Sequence, residues 1–154
     1  MNNSTYEQEL ETRGFLIYTT SGCSMRPFLR SGEDLVYIER RPQGRCRKYD
    51  AVLYRRHSGL YVLHRIVKVC PNSYTLCGDH CWQREPGVTE DQILGVLTGV
   101  IRNGRKIDVN HWSYRLKVWL WYVLYPIRGT FLYTRGRLQA LWRKIKAKRN
   151  DCNM

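Results

Sequence analysis

Residues 61–69 read Tyr-Val-Leu-His-Arg-Ile-Val-Lys-Val, and this stretch indicates the fold class. It is rich in β-branched and aromatic residues, which pack well on a pleated surface. Turn residues bound it on both sides, with Ser58-Gly59 before it and Pro71-Asn72 after it. The stretch therefore predicts a β-strand.

Five more segments have the same composition, at residues 15–20, 35–38, 51–54, 74–76 and 93–101. The gaps between them contain turn residues, at Ser31-Gly32, Pro42-Gln-Gly44, Pro86-Gly87 and Asn103-Gly104. Six or seven short strands at this spacing are typical of a β-sandwich or barrel. The length of 154 residues predicts one domain with a single core.

The two ends of the chain differ from this β-rich part, residues 14–109. Residues 1–13 are polar and rich in Glu, and Leu10 alone stands where an apolar helix face would need it. They predict a short exposed helix or a frayed arm. Residues 110–154 are aromatic and basic, and Pro126 interrupts them, so they predict two helices. We expect a mainly β domain followed by a helical basic tail.

Most of the net charge of +13 lies in the last third of the chain, which includes that tail. Residues 1–100 carry 13 basic and 11 acidic side chains, whereas residues 101–154 carry 13 basic and 2 acidic ones. Such a region attracts nucleic acid or the anionic leaflet of a membrane. Its apolar stretch, residues 118–127, is about half of the roughly 20 residues that span a bilayer. The tail therefore suits a helix lying in the headgroup region, or one packed back on the β domain.

The first residues contain neither a basic region followed by an apolar run nor a membrane anchor. We therefore expect a cytoplasmic protein, peripheral on the inner face of the membrane if the tail binds lipid. In that compartment the six cysteines are expected to be thiols rather than a disulfide framework.

Three short motifs follow one another in the β-rich part. Ser-Met-Arg-Pro at residues 24–27 precedes Leu-His-Arg-Ile-Val at residues 63–67, and Gly-Asp follows at residues 78–79. In this order and spacing they resemble the conserved boxes of type I signal peptidases and their relatives in the S24/S26 superfamily. The resemblance covers roughly residues 14–105. It implies a signal-peptidase-like β fold, and a serine endopeptidase that cuts an extended precursor or leader peptide beside small residues.

The resemblance assigns Ser24 as the nucleophile, His64 as the general base and Asp79 as the acid that supports the base. It places the chain in the branch whose base is His rather than Lys. The chemistry of the side chains agrees, because a serine hydroxyl needs a base within hydrogen-bond reach and imidazole, with an ordinary pKa near 6.5, suits neutral pH. A carboxylate on its far nitrogen would fix the tautomer.

The oxyanion of the tetrahedral intermediate needs hydrogen-bond donors, of which the backbone N–H of Ser24 is the first. Gly22 stands where some relatives have a hydroxyl, so Ser21, Cys23 or another backbone N–H is left as the second donor. Arg26 and Arg65 flank the nucleophile and the base and are predicted to be solvated edge charges.

Cysteine and histidine side chains cluster at residues 77–81, which read Cys-Gly-Asp-His-Cys. The cluster suggests zinc, but no second Cys/His pair stands at metal-site spacing. We therefore expect no metal and no cofactor. His80 stands where the resembling family usually has Asn, and it is the second candidate for the base.

Two other functions compete with the peptidase. Self-cleaving repressors share the resembling fold, and the basic tail would suit a nucleic-acid-binding regulator. Those repressors use a Lys base and carry a helix-turn-helix, which the 13 residues before Gly14 cannot hold, so we do not expect nucleic acid as a partner. An inactive peptide-binding module is favoured only by the missing hydroxyl at residue 22.

Overall fold

The computed structural model describes residues 5–41 and 43–124. Within these ranges it contains two α-helices, α1 (Tyr6–Arg13) and α2 (Trp112–Val123), and a short 3-10 helix (Glu90–Gln92). The strands are β1 (Phe15–Thr19), β2 (Leu35–Arg40), β3 (Ala51–Arg55), β4 (Tyr61–Val69), β5 (Tyr74–Cys77), β6 (Arg84–Val88), β7 (Ile93–Arg102) and β8 (Arg105–Asp108).

All of these strands pair antiparallel in one sheet, in the order β1-β2-β7-β3-β4-β5-β6, with β8 also on β7. The path begins at β1, ends at β6 and does not close into a barrel. The mainly β class predicted from the sequence is confirmed. β7 joins the two halves of the sheet, because its length lets it pair with β2, β3 and β8.

The strands bury their side chains in two clusters. Successive residues of a strand point to opposite faces, so neighbours such as Val52 and Leu53 enter different clusters. Each fully buried aliphatic or aromatic side chain contributes about 1.5–3 kcal/mol. One cluster includes Leu16, Val36, Ile38, Leu53 and Leu97, and the other includes Val52, Tyr54, Ile66, Leu76 and Ile93.

Strands β6 and β8 were not predicted, and the turn predicted at Pro86-Gly87 is wrong. These two residues lie inside β6, where Tyr74 pairs with Val88 and Leu76 pairs with Glu85. Two residues of β6, Pro86 and Gly87, therefore lie opposite a single residue of β5, which makes a β-bulge. Gly87 adopts the positive φ of 80° that this bulge uses. Proline and glycine are tolerated at such a bulge in the last strand of a sheet.

The predicted helix in the N-terminal segment is α1, and it is not a free arm. Thr5 begins it with a capping box, in which the Thr5 side chain accepts from the backbone of Gln8 and the Gln8 side chain accepts from the backbone of Thr5. Gly14 ends it in the left-handed conformation. Leu10 is 2% exposed and belongs to the same cluster as Leu16, so the helix is packed on the sheet.

The chain divides into two compact units, residues 1–115 and 116–154. α2 accounts for the first predicted tail helix, whereas Pro126 and the second predicted helix lie outside the described residues. Within residues 5–41 and 43–124, no helix is both long enough and apolar enough to cross a membrane.

Candidate active site

Ser24 lies on a tight turn that the core holds in place. The turn follows β1, and Gly22 enters it with a positive φ of 87°. Met25 and Leu29, which are 5% and 2% exposed, anchor the turn in the core, and the Leu29 N–H donates to the Met25 carbonyl at 3.0 Å. Arg102, the last residue of β7, donates to the Phe28 carbonyl at 2.9 Å. Ser24 itself stays partly exposed on a fixed backbone.

The Gly-Asp motif packs directly against this serine. A Cβ on Gly78 would lie 2.7 Å from the Ser24 carbonyl oxygen and 3.0 Å from the Ser24 Cβ, so only glycine fits there without a shift. The His80 N–H donates to the same carbonyl at 2.8 Å. Gly78 directly follows β5, whose last residue Cys77 pairs with Arg65, the neighbour of His64. The fold thus brings the three motifs together.

His64 is buried in β4, opposite Val52 of β3, and is 6% exposed. Its Nδ1 lies 3.2 Å from Oε1 of Glu85. This nitrogen has no hydrogen-bond partner among the described residues. Burial lowers the pKa of His64, and the carboxylate of Glu85 partly opposes that shift. The ring is therefore neutral at neutral pH, as a general base must be.

Glu85 is a residue that the sequence analysis missed. Tyr54 donates its hydroxyl to Oε2 of Glu85 at 2.6 Å, and Arg56 donates to both carboxylate oxygens, with Nε at 2.8 Å from Oε2. Burial acts to raise the pKa of Glu85, but the hydrogen bonds from Arg56 and Tyr54 outweigh it and lower the pKa below its usual range. Glu85 is thus an oriented carboxylate beside the imidazole of His64.

Asp79, the acid predicted to support His64, is placed differently. It is fully buried, and its two oxygens accept from Nε and Nη2 of Arg65 at 2.7 and 2.8 Å. Arg65 is 1% exposed, donates to the Tyr49 carbonyl at 2.9 Å and lies over the Phe28 ring, so the prediction of a solvated edge charge is wrong for Arg65. Arg26 is exposed, as predicted.

The nucleophile and the predicted base are not yet joined. In the described part of the chain no hydrogen bond links the Ser24 hydroxyl to His64, a separation common in sites without substrate. Ser21 and Cys23, the predicted oxyanion supports, lie exposed in the loop before Ser24. Within the same described part, no protein group accepts a hydrogen bond from the backbone N–H of Cys23, Ser24 or Met25. These N–H groups are available to an oxyanion.

The segment at residues 77–81 contains two thiols, those of Cys77 and Cys81. Cys77 is buried and its thiol points at backbone carbonyls, among them that of Cys81 at 3.3 Å. Across residues 5–41 and 43–124, no group of three or more His, Cys, Asp or Glu side chains is arranged to hold a metal ion. No disulfide joins any of the five cysteines in these ranges, and Cys152 lies outside them.

Comparisons of the chain with protein-family models, with curated proteins and with solved structures gave no match.

Proposed function

We propose that this chain is a serine endopeptidase of the signal-peptidase type, with Ser24 as nucleophile and His64 as general base. The observation that carries the proposal is the packing of Gly78 on Ser24. Gly78 follows Cys77 of β5, and Cys77 pairs with Arg65 of β4, the neighbour of the buried, neutral His64. Membership of the S24/S26 superfamily is part of the same proposal.

The reaction follows from the roles of these side chains. The Ser24 oxygen attacks the carbonyl carbon of the substrate while Nε2 of His64 takes the hydroxyl proton. Glu85 faces Nδ1 at 3.2 Å, so its negative charge stabilises the imidazolium. His64 then gives the proton to the leaving amine, and water hydrolyses the resulting ester by the same path. Asp79 acts by holding Arg65 and the turn at residues 78–81.

The substrate is an extended segment of a precursor or leader peptide. β1 pairs on one side with β2 and is the first strand of the sheet order, and its last residues lead toward the Ser24 loop. An extended peptide pairs readily with such an edge through its backbone. The developing oxyanion is then met by the backbone N–H groups at residues 23–25.

The same proposal places the protein at an anionic membrane surface through α2. One stripe of this helix is apolar and exposed, with Trp112 at 70% and the others between 42% and 47%, namely Leu116, Trp119, Leu120 and Val123. These positions are three or four residues apart and share one face of the helix. Tryptophan and basic residues together favour the headgroup region, and residues 101–154 carry 13 basic and 2 acidic side chains.

The peptidase proposal is tested by labelling with a fluorophosphonate, which reacts with an activated serine. We expect labelling of Ser24 that Ser24→Ala abolishes and His64→Ala reduces by several orders of magnitude, with the double variant no worse than Ser24→Ala. Ser58→Ala and His57→Ala are the matched controls, because both residues are exposed. If the wild type is not labelled, the proposal fails. A DNA mobility shift would then favour the nucleic-acid-binding regulator. Binding of peptides without cleavage would favour the inactive peptide-binding module.

The membrane part is tested with phosphatidylcholine vesicles that contain or lack phosphatidylserine. We expect the full chain to sediment only with the anionic vesicles, and less so as salt is added. Replacing Trp112, Trp119 and Leu120 by Ser should abolish sedimentation while labelling of Ser24 is retained. Sedimentation that survives this change would refute the role of the stripe.

A further inference from the structure

Two cysteines flank the contact between the Ser24 turn and the Gly-Asp motif. The His80 N–H donates to the Ser24 carbonyl at 2.8 Å, and this hydrogen bond joins the two backbone segments. Cys23 directly precedes Ser24, and Cys81 directly follows His80. Each segment therefore carries one thiol next to the residue that makes the hydrogen bond.

The sulfur of Cys81 lies against the nucleophile. A Cβ on Gly78 would lie 2.8 Å from Sγ of Cys81 and 3.0 Å from Cβ of Ser24, so these two atoms border the same small space. Burial raises the pKa of the Cys81 thiol, and the neighbouring Cys23 thiol raises it as well. The Cys81 sulfur is thus close both to Ser24 and to the cysteine that precedes it.

The cysteines of this region differ in how easily a reagent reaches them. Cys23 is exposed and Cys81 is partly exposed. Cys77 is 1% exposed, and its thiol is directed at backbone carbonyls. Because thiol–disulfide exchange needs an accessible sulfur, an oxidant in solution meets Cys23 first and does not reach Cys77.

We infer that Cys23 and Cys81 are a redox-sensitive pair, which closes into a disulfide that stops Ser24 from reacting. The effect on Ser24 rests on the proposed peptidase function, whereas the formation of the bond does not. The oxidant belongs to the class of small disulfides, of which oxidised glutathione is an example. Disulfides in a reducing compartment are typically transient and serve catalysis or redox sensing, which is the role inferred for this pair.

The reaction is a thiol–disulfide exchange in two steps. The Cys23 thiol loses its proton, and its sulfur attacks one sulfur of the small disulfide, whose other half leaves and takes up a proton as a thiol. The Cys81 thiol then loses its proton and attacks the Cys23 sulfur, which releases the second half as a thiol. Two protein thiols are oxidised to one disulfide, and one small disulfide is reduced to two thiols.

The bond would act on the backbone that precedes and includes the nucleophile. A disulfide fixes the separation and the orientation of the two residues that it joins. It would hold residue 23 against residue 81, and the N–H groups at residues 23–25 are those proposed to meet the oxyanion. Since a misplacement of about 1 Å can cost about 100-fold in rate, we expect the bridged protein to react poorly at Ser24.

The test treats the full chain with oxidised glutathione, blocks the remaining thiols with iodoacetamide and maps the linked peptides by mass spectrometry. We expect a bond between Cys23 and Cys81 that dithiothreitol removes. Labelling of Ser24 by the fluorophosphonate should be about tenfold or more slower in the bridged protein than in the reduced protein, and dithiothreitol should restore it.

A variant of Cys81 separates the two steps. In Cys81→Ser the exchange stops after the first step, so glutathione should stay attached to Cys23. Cys81→Ala serves the same purpose if Cys81→Ser does not fold by circular dichroism. Cys70→Ser is the matched control, because Cys70 is also partly exposed but lies at the other end of β5 from Gly78, and it should form the bond as the wild type does.

The outcomes separate the inference from the function beneath it. If Cys23 and Cys81 do not join, or if either pairs with another cysteine instead, the inference is overturned and the peptidase proposal stands. A bond between them that leaves the labelling of Ser24 unchanged also overturns the inference. If the reduced protein is not labelled at Ser24, the peptidase proposal fails and the inferred control of Ser24 fails with it.

Discussion

Replacing Asp79 by Asn should destabilise the β domain rather than only slow the chemistry. The carboxylate is fully buried and accepts two hydrogen bonds from Arg65, whose guanidinium is 1% exposed and cannot lose its proton. The amide keeps one acceptor but removes the countercharge. Removing one partner of a buried ion pair costs about 3–5 kcal/mol, against a total stability of about 5–15 kcal/mol for a typical domain.

Urea unfolding, followed by circular dichroism, measures this loss. With a slope of about 2 kcal/mol per M, the midpoint of the Asp79→Asn variant should fall by roughly 1.5–2.5 M. The double variant Arg65→Met, Asp79→Leu should recover most of the loss, because it leaves no unpaired buried charge. A midpoint equal to that of the wild type would refute the reasoning. If such a stable variant also fails to react with the fluorophosphonate, Asp79 supports His64 as the sequence analysis predicted.

Two further predictions concern the site. Burial lowers the pKa of His64, and the charge of Glu85 raises it by a smaller amount, so Glu85→Gln should lower this pKa further. The pH below which labelling of Ser24 slows should then fall, and the maximal labelling rate at higher pH should fall as well. A rise in the pH at which labelling slows would contradict the contact between Glu85 and His64. Gly78→Ala should slow labelling of Ser24 by about tenfold or more, because the new Cβ displaces Ser24. Gly99→Ala is the control and should not slow it, because the nearest atom to a Cβ there is 3.5 Å away. Equal labelling rates in the two variants would show that the packing of Gly78 on Ser24 is unimportant for labelling.

Most of the sheet could be predicted from composition, and the exceptions have physical causes. Six strands are rich in β-branched and aromatic residues, and each was located within a few residues. β8 reads Arg-Lys-Ile-Asp, a polar stretch that is a strand because it continues β7 through the turn at Asn103-Gly104. β6 contains Pro86 and Gly87, which by themselves favour a turn. They lie in a strand here because the bulge against β5 accommodates them.

The candidate site was predictable only where a motif marks it. Ser24 and His64 belong to the motifs that carry the family resemblance. In the fold, Gly78 packs on Ser24, and the residue before Gly78 pairs with Arg65, the neighbour of His64. Glu85 carries no such signal, because it lies in an unpredicted strand and reaches His64 only through the pairing of β6 with β5 and β5 with β4. The contact of the Tyr6 ring with Tyr18 and Tyr61 could not be predicted either, because β4 lies far along the chain from α1 and β1 and each tyrosine alone suits an ordinary packed surface.

The two ends of the sheet order differ in their tendency to aggregate. A flat, unpaired strand is a template on which a second chain can add, and this is a common route to insoluble assemblies. At β6, Pro86 has no N–H to offer and the bulge with Gly87 twists the backbone, so this end is a poor template. β1 has no proline or bulge. The end that resists self-association is therefore β6, and the receptive end is β1, the strand with which the proposed substrate would pair.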